Sequence, residues 1–336
     1  MFRRLLAVLA TLGIILFAGW MTLKRDDIPY EQLEAVYANA DSRYLAFGDG
    51  MRVHFRDVGP RDAHTLVLVH GFSASLHTWE PWVSNLEQDY RVITLDLPGH
   101  GLSRCIDNEV IGTSQFIDTI NRVTDALDVS RFTLAGNSMG GAAAWNYALA
   151  HPERLDGLVL VDAAGWPRTP AKEGERPIIF RLLDIDLARR LMKDLDMSSL
   201  IRGGLEDSFG DPSFVTDEMV ERYASLSRAP CHREALLQLV SGRGERREAT
   251  PDLLAGITSP TLVMHGEVDK IIPAAHGEQF AASIPGAELL VYPGIGHLPQ
   301  EEIAERSASD LRSFLTRRVY GSQEGGSPDG LAAPAN

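Results

Sequence analysis

The chain has almost no cysteine: Cys105 and Cys231 are the only two in 336 residues. That excludes a small disulfide-stapled fold, and two cysteines so far apart make neither a C-x-x-C redox pair nor a structural zinc site. Whether they pair with each other stays open, because a bridge needs Cα atoms within about 7 Å. Basic runs are also missing. With 32 Lys and Arg against 46 Asp and Glu the net charge is −14. No Lys/Arg-rich stripe is offered to a phosphate backbone, so nucleic acid is disfavoured as a partner. Composition is otherwise that of a folded protein, 44% apolar and 23% charged, which excludes disorder of the whole chain. The length suits about two domains, or one enlarged α/β domain carrying an insertion.

The first 25 residues lack acid altogether. Arg3, Arg4, Lys24 and Arg25 bracket Leu5–Leu23, a run without a charge. As a helix it would span roughly 28 Å, about the apolar thickness of a bilayer. A single-pass membrane anchor is expected, with the bilayer as a partner and the body outside the cytoplasm. A cleaved signal peptide is the rival, but Phe17-Ala18-Gly19-Trp20-Met21 has no good Ala-x-Ala site, and Trp20 sits where an interfacial aromatic would. A buried helix is the third reading.

Residues 26–43 read as a polar, helix-prone connector. Strand-like runs follow at Met51–Asp57, Thr65–His70, Arg91–Leu95, Phe132–Ala135, Leu155–Val161, Thr261–His265 and Leu289–Tyr292. Most are continuously apolar rather than alternating, which means strands covered on both faces, hence a mostly parallel sheet. Helical patterns lie between them at Trp79–Gln88, Ser114–Leu127, Met139–Ala150, Ala274–Ser283 and Glu301–Arg317. This β-α rhythm predicts a doubly wound α/β core over 44–164 and 251–318. It breaks at 165–250, where apolar residues such as Ile178, Leu182, Leu183, Leu187 and Leu191 recur at helical spacing. A helical cap is expected there, and a disordered Gly/Ser/Pro-rich tail over 319–336.

Gly136-Asn137-Ser138-Met139-Gly140 follows the strand Phe132–Ala135 and opens an Ala-rich helix. Strand, sharp turn and helix would hold Ser138 on a strained elbow, with Gly136 and Gly140 leaving room for the backbone. The Met139 amide, at a helix N-terminus, could donate to a developing oxyanion. A base is expected in His297, on the loop Gly294-Ile295-Gly296-His297 after the last strand. His54 and His265 are better explained by packing, and His77 and His276 read as surface residues. Asp269 is the expected orienting acid, with Asp162 and Glu267 as rivals. The order Ser…Asp…His completes the pattern.

On these motifs the chain resembles the α/β-hydrolase superfamily. His70-Gly71-Phe72 looks like that family's oxyanion loop, which makes the Phe72 amide the second donor beside Met139. Asp96-Leu97-Pro98-Gly99-His100-Gly101-Leu102-Ser103 matches the turn after the next strand, with His100 structural. The resemblance implies an acyl-enzyme on Ser138 and needs neither cofactor nor metal. Within the superfamily, the apolar N-terminus, Gly-Asn-Ser-Met-Gly-Gly and the cap resemble membrane-anchored monoacylglycerol lipases and bacterial lipase-like carboxylesterases. Cleavage of lipid-derived or other apolar small-molecule esters is therefore the leading expectation. The alternatives are a carbon–carbon hydrolase of ring-opened aromatic diketones, a cofactor-free haloperoxidase-like enzyme, and a non-catalytic binding protein on the same scaffold. Oligomeric state is not legible.

Overall fold

The computed structural model describes residues 2–48, 50–105, 111–167, 193–241 and 247–320. Leu66, Val67, Leu68 and Val69 are all buried with no alternation, so their strand has to be covered on both faces. It lies inside an eight-stranded sheet of order β1-β2-β4-β3-β5-β6-β7-β8. The strands are β1 Ser42–Ala46, β2 Arg52–Val58, β3 Thr65–Val69, β4 Arg91–Leu95, β5 Phe132–Asn137, β6 Leu155–Val161, β7 Thr261–Gly266 and β8 Glu288–Tyr292. Pairing is antiparallel for β1–β2 and β2–β4 and parallel from β4 to β8.

Strand periodicity sorts the core into two layers. Val67, Val69, Leu134, Leu158, Leu160 and Val263 face Phe116, Ile120, Trp145 and Phe280 on one side. Leu66, Leu68, Val159, Val161, Leu262 and Met264 face Trp79, Trp82, Leu311 and Phe314 on the other. Each such side chain contributes roughly 1.5–3 kcal/mol of burial, which makes the sheet a stiff platform for its loops.

Helices Glu80–Leu86, Thr113–Ala126, Met139–Ala150 and Ala274–Ser283 occupy the expected intervals. The predicted helix 301–317 is instead broken at Ile303 into Pro299–Glu302 and Ala304–Phe314. Ile303 has φ −133° and ψ 46°, outside helical geometry, so the second piece turns to lay Leu311 and Phe314 on the sheet. Between β6 and β7 the described residues hold helices Ser198–Ser208, Asp217–Ser227, His232–Val240 and Pro251–Leu254, and no strand. The stripe from Ile178 to Leu191 and the tail beyond Tyr320 lie outside the described residues.

The amino-terminal expectation is corrected. A helix covers Phe2–Leu23, yet among the described residues no helix is long and apolar enough to cross a membrane. That overturns the single-pass anchor, and with it the membrane location and the bilayer as partner. A crossing takes about 20 consecutive apolar residues. At its carboxyl end the helix meets a polar junction with the body. There the Arg25 amide donates to Asp194 O at 2.7 Å, the Asp196 amide donates to Leu23 O at 2.8 Å, and Arg25 pairs with Asp196 at 3.0 Å.

The expected connector is docked as well. Tyr30 and Leu33 of helix Tyr30–Tyr37 are buried against Leu102, Leu226 and Ala229, and the chain then enters the edge strand β1. Cys105 and Cys231 form a disulfide with Cα atoms 6.4 Å apart. It joins the loop after β4 to the start of helix His232–Val240.

Candidate active site

The carboxyl edge of the parallel strands gathers the candidate residues. Ser138 follows β5 with φ 54° and ψ −115°, a backbone region that costs energy for any residue but glycine. Neighbouring hydrogen bonds over-determine it: the Ser138 amide donates to Val161 O at 3.0 Å, and the Ala164 amide donates to Ser138 O at 2.9 Å. Close approach explains the two elbow glycines. A Cβ on Gly136 would sit 2.2 Å from Gly140 O, and one on Gly140 would sit 2.2 Å from Val69 O. Met139 begins the following helix, so its amide has no intrahelical acceptor.

The loop after β3 passes beside the elbow: a Cβ on Gly71 would lie 3.1 Å from that of Ser138. His70 holds this loop in place. The Leu97 amide donates to His70 Nε2 at 3.0 Å, which leaves the Nδ1 hydrogen to donate to Gly71 O at 2.7 Å. Burial pushes His70 below its ordinary value, so the ring is neutral and keeps this tautomer. Phe72 comes next, with its side chain half-exposed.

The next loop is pinned by a buried carboxylate. Asp96 accepts from the Leu76 amide at 2.7 Å and the Leu102 amide at 2.8 Å, and pairs with His54 Nδ1 at 2.7 Å. Burial disfavours its charge, but the His54 hydrogen bond and the nearby histidines hold it well below the usual carboxylate range. His54 thus hydrogen-bonds a buried carboxylate as well as packing in the core. His100 is buried, with Nδ1 3.1 Å from Pro98 O. His77, read as a surface residue, is buried instead. Its short helical turn places the ring between Tyr37 O at 3.0 Å, Ser75 Oγ at 2.9 Å and Arg56.

On the far side of the elbow, His297 Nδ1 stands 2.6 Å from Asp269 Oδ2. The other Asp269 oxygen accepts from the amides of Ile271 at 2.7 Å and Ile272 at 2.9 Å. Burial opposes the Asp269 charge, yet hydrogen bonds to His265 and His297 outweigh it and hold the carboxyl low. Glu267 is exposed and accepts from the Gly294 amide at 3.0 Å. Asp162 is fully buried and close by: one polar atom from each of Asp162, Asp269 and His297 lies within 4.8 Å of the other two. Among the described hydrogen bonds, none joins Ser138 Oγ to His297; such bonds commonly tighten only when substrate is bound.

Asn137 escapes sequence reasoning, since the middle letter of Gly-x-Ser is free. Its amide donates to Val161 O at 3.3 Å and to His297 O at 3.1 Å, which ties the elbow to the histidine loop. A cleft of about 310 Å³ lined by Asn39, Asp41, Arg56 and Glu80 contains none of the candidate residues.

A mostly parallel sheet with a serine elbow after β5, an acid after β7 and a histidine after β8 defines an α/β-hydrolase. The chain belongs to the α/β-hydrolase fold family, whose model matches residues 64–303. It is 33% identical over 270 residues to a dihydrolipoyllysine-residue acetyltransferase component of the acetoin cleaving system from Pseudomonas putida, covering 80% of this chain and 68% of that protein. It is 31% identical over 290 residues to a 2-hydroxy-6-oxononadienedioate/2-hydroxy-6-oxononatrienedioate hydrolase from Paraburkholderia phymatum, covering 82% and 96%. Among solved structures, a thermophilic esterase from Thermogutta terrifontis superposes with a TM-score of 0.68 at 28% identity, covering 83% of this chain and 100% of the other.

Proposed function

We propose that this protein is a hydrolase in which Ser138 is the nucleophile, His297 its base and Asp269 the orienting acid. The observation that carries the reading is the positive-φ Ser138 elbow beside the buried 2.6 Å Asp269–His297 pair. With Nδ1–H held by Asp269, His297 presents Nε2 to take the Ser138 proton as Oγ attacks a carbonyl carbon. The amides of Met139 and Phe72 meet the oxyanion that forms. Collapse expels the leaving group, which takes the proton from His297. Water then repeats the sequence on the acyl-enzyme and frees Ser138.

For the bond cleaved, the relatives support the alternative better than the leading expectation. Hydrolases of 2-hydroxy-6-oxo dienedioates are 29–31% identical over at least three quarters of this chain. We therefore infer cleavage of a carbon–carbon bond beside a ketone, in a substrate whose leaving carbon departs as a stabilised enolate. Ester cleavage is the second reading, favoured by the likeness to the Thermogutta esterase. Without the anchor, a lipid-like ester is left with only the elbow motif and the helical cap in its favour.

The test is a purified-protein assay with a 2-hydroxy-6-oxo dienedioate on one arm and 4-nitrophenyl esters from acetate to octanoate on the other. The dienedioate should give the higher kcat/KM, and Ser138→Ala should lose both activities. Turnover of esters alone would transfer the assignment to an esterase. Full activity in Ser138→Ala would remove the nucleophile.

A further inference from the structure

Behind His297 lies a second acid that the proposed mechanism leaves unused. Asp162 follows β6 directly and has a positive φ of 44°, a conformation that non-glycine residues rarely hold without a reason. The same turn supports the elbow from behind: the Asp162 amide donates to Met264 O at 2.9 Å, and the residue before it accepts from the Ser138 amide. The Asp162 carboxyl is fully buried. One oxygen accepts from the Gly266 amide at 2.8 Å, and the other has no hydrogen-bond partner. An orphan carboxylate oxygen in the core is costly, so its retention asks for an explanation.

The surroundings supply one. Among the described residues, the titratable groups nearest Asp162 are two members of the proposed machinery and a histidine that touches one of them. Asp269, on the loop after β7, and His297, after β8, are within 4.8 Å. His265, at the end of β7, has Nε2 3.5 Å from Asp162 Oδ1 and 3.5 Å from Asp269 Oδ2. Tyr292, closing β8, senses the Asp162 charge from further away. His265 is thus placed between two carboxyls, with its Nε2 also 3.0 Å from Ile272 O.

We propose that Asp162 is a positioning residue and reserve acid for His297: it shares with Asp269 the charge that balances the imidazolium, and takes over that role when Asp269 is lost. The proposal rests on Ser138 and His297 acting as assigned above. Only protons move. When His297 accepts the Ser138 proton, the new positive charge favours the ionised form of any carboxyl within a few ångströms. Burial and the neighbouring Asp269 charge push Asp162 up to about 7, against the pull of His265 and His297. Its charge state is therefore adjustable at neutral pH, while Asp269 stays ionised.

The experiment follows the rate at which a fluorophosphonate labels Ser138 between pH 5.5 and 9.5, a readout independent of the natural substrate. It compares the wild type, Asp162→Asn, Asp269→Ala and the double variant, with melting temperature as a control on folding. Asp269→Ala should keep measurable labelling at pH 8.5 and lose at least tenfold toward pH 5.5, with the step below 7 because the Asp269 charge that helps to raise Asp162 is gone. The double variant should be at least tenfold slower than Asp269→Ala at pH 8.5, without that step. Asp162→Asn alone should displace the inflection of the wild-type profile by at least half a pH unit. If Asp269→Ala unfolds, Asp269→Asn keeps the acceptor for the Ile271 and Ile272 amides, and the same comparison is made in that background. Superposable profiles for single and double Asp269 variants would overturn the proposal. Failure of the wild type to label at Ser138 would instead overturn the nucleophile assignment.

Discussion

Breaking the bridge between Cys105 and Cys231 should destabilise the protein mainly through its unfolded state. The two residues are 126 positions apart. In the chain-entropy description a closed loop of that length removes about 5 kcal/mol of conformational entropy from the unfolded ensemble. The folded geometry survives without the bridge because other bonds hold the same junction. Tyr30 Oη lies 3.2 Å from Pro230 O and 3.0 Å from His232 Nε2, and His232 Nδ1 lies 2.9 Å from Leu226 O. Both cysteines are only partly buried, so Cys105→Ser/Cys231→Ser costs little packing. At roughly 2–4 °C per kcal/mol for a large domain, the double variant should melt about 10–20 °C lower. Calorimetry under non-reducing conditions measures this. Hydrogen exchange of the slowest amides in β3–β7, which open through global unfolding, should speed up together. A shift below about 2 °C, or loosening confined to residues 198–240, would refute the reasoning.

Ser138→Ala should lower hydrolysis by on the order of 10³-fold or more with an unchanged melting temperature, measured on whichever substrate the wild type prefers. Asn137→Ala cuts the bond to His297 O, so kcat should fall about tenfold with KM little changed; steady-state kinetics reads the split. Gly140→Ala forces a Cβ to 2.2 Å from Val69 O and should yield insoluble protein or a melting temperature lowered by many degrees. For pH and stability, burial raises the folded pKa of Asp162 to about 7 from its ordinary value of 3.8. Its neutral form stabilises the fold at low pH, and that contribution is lost as pH rises from about 4 to 7. Asp162→Asn, neutral throughout, should therefore gain on the wild type across that window, by on the order of 4 kcal/mol at most, as denaturant titrations at pH 4.5 and 8 would record.

Much of this architecture is legible in the sequence because it is set by local pattern. Thr65–Val69, Arg91–Leu95 and Leu155–Val161 are continuously apolar, and only a two-sided environment accepts such strands. The strand β1 escapes because Ser42–Ala46 sits at the sheet edge with half-exposed side chains, so it carries no apolar signature. The break at Ile303 is equally silent: nothing in the composition of 299–314 announces a change of direction that packing of Leu311 and Phe314 demands. The amino-terminal helix misleads in the opposite sense. Apolar composition over Leu5–Leu23 is read as thickness, whereas the helix Phe2–Leu23 is joined at its end to the body by Arg25, Asp194 and Asp196.

For the candidate site, the line between what is legible and what is not runs along distance in the chain. Elbow residues are recognisable because Gly136, Ser138 and Gly140 solve one local steric problem within five positions. The contacts of Asn137, His70 and Asp162 are made across strands, and only the sheet order determines them. Because β6 pairs with β7 and β7 with β8, the residue that follows β6 is delivered to the same buried pocket as the loops after β7 and β8. Asp162 and Asp269 are therefore rivals only while strand order is unknown. Once the strands are side by side, both carboxyls reach the neighbourhood of His297. On the reading proposed above, the chemistry behind His297 is a pair of acids serving one histidine, with Asp269 hydrogen-bonded to it and Asp162 in reserve.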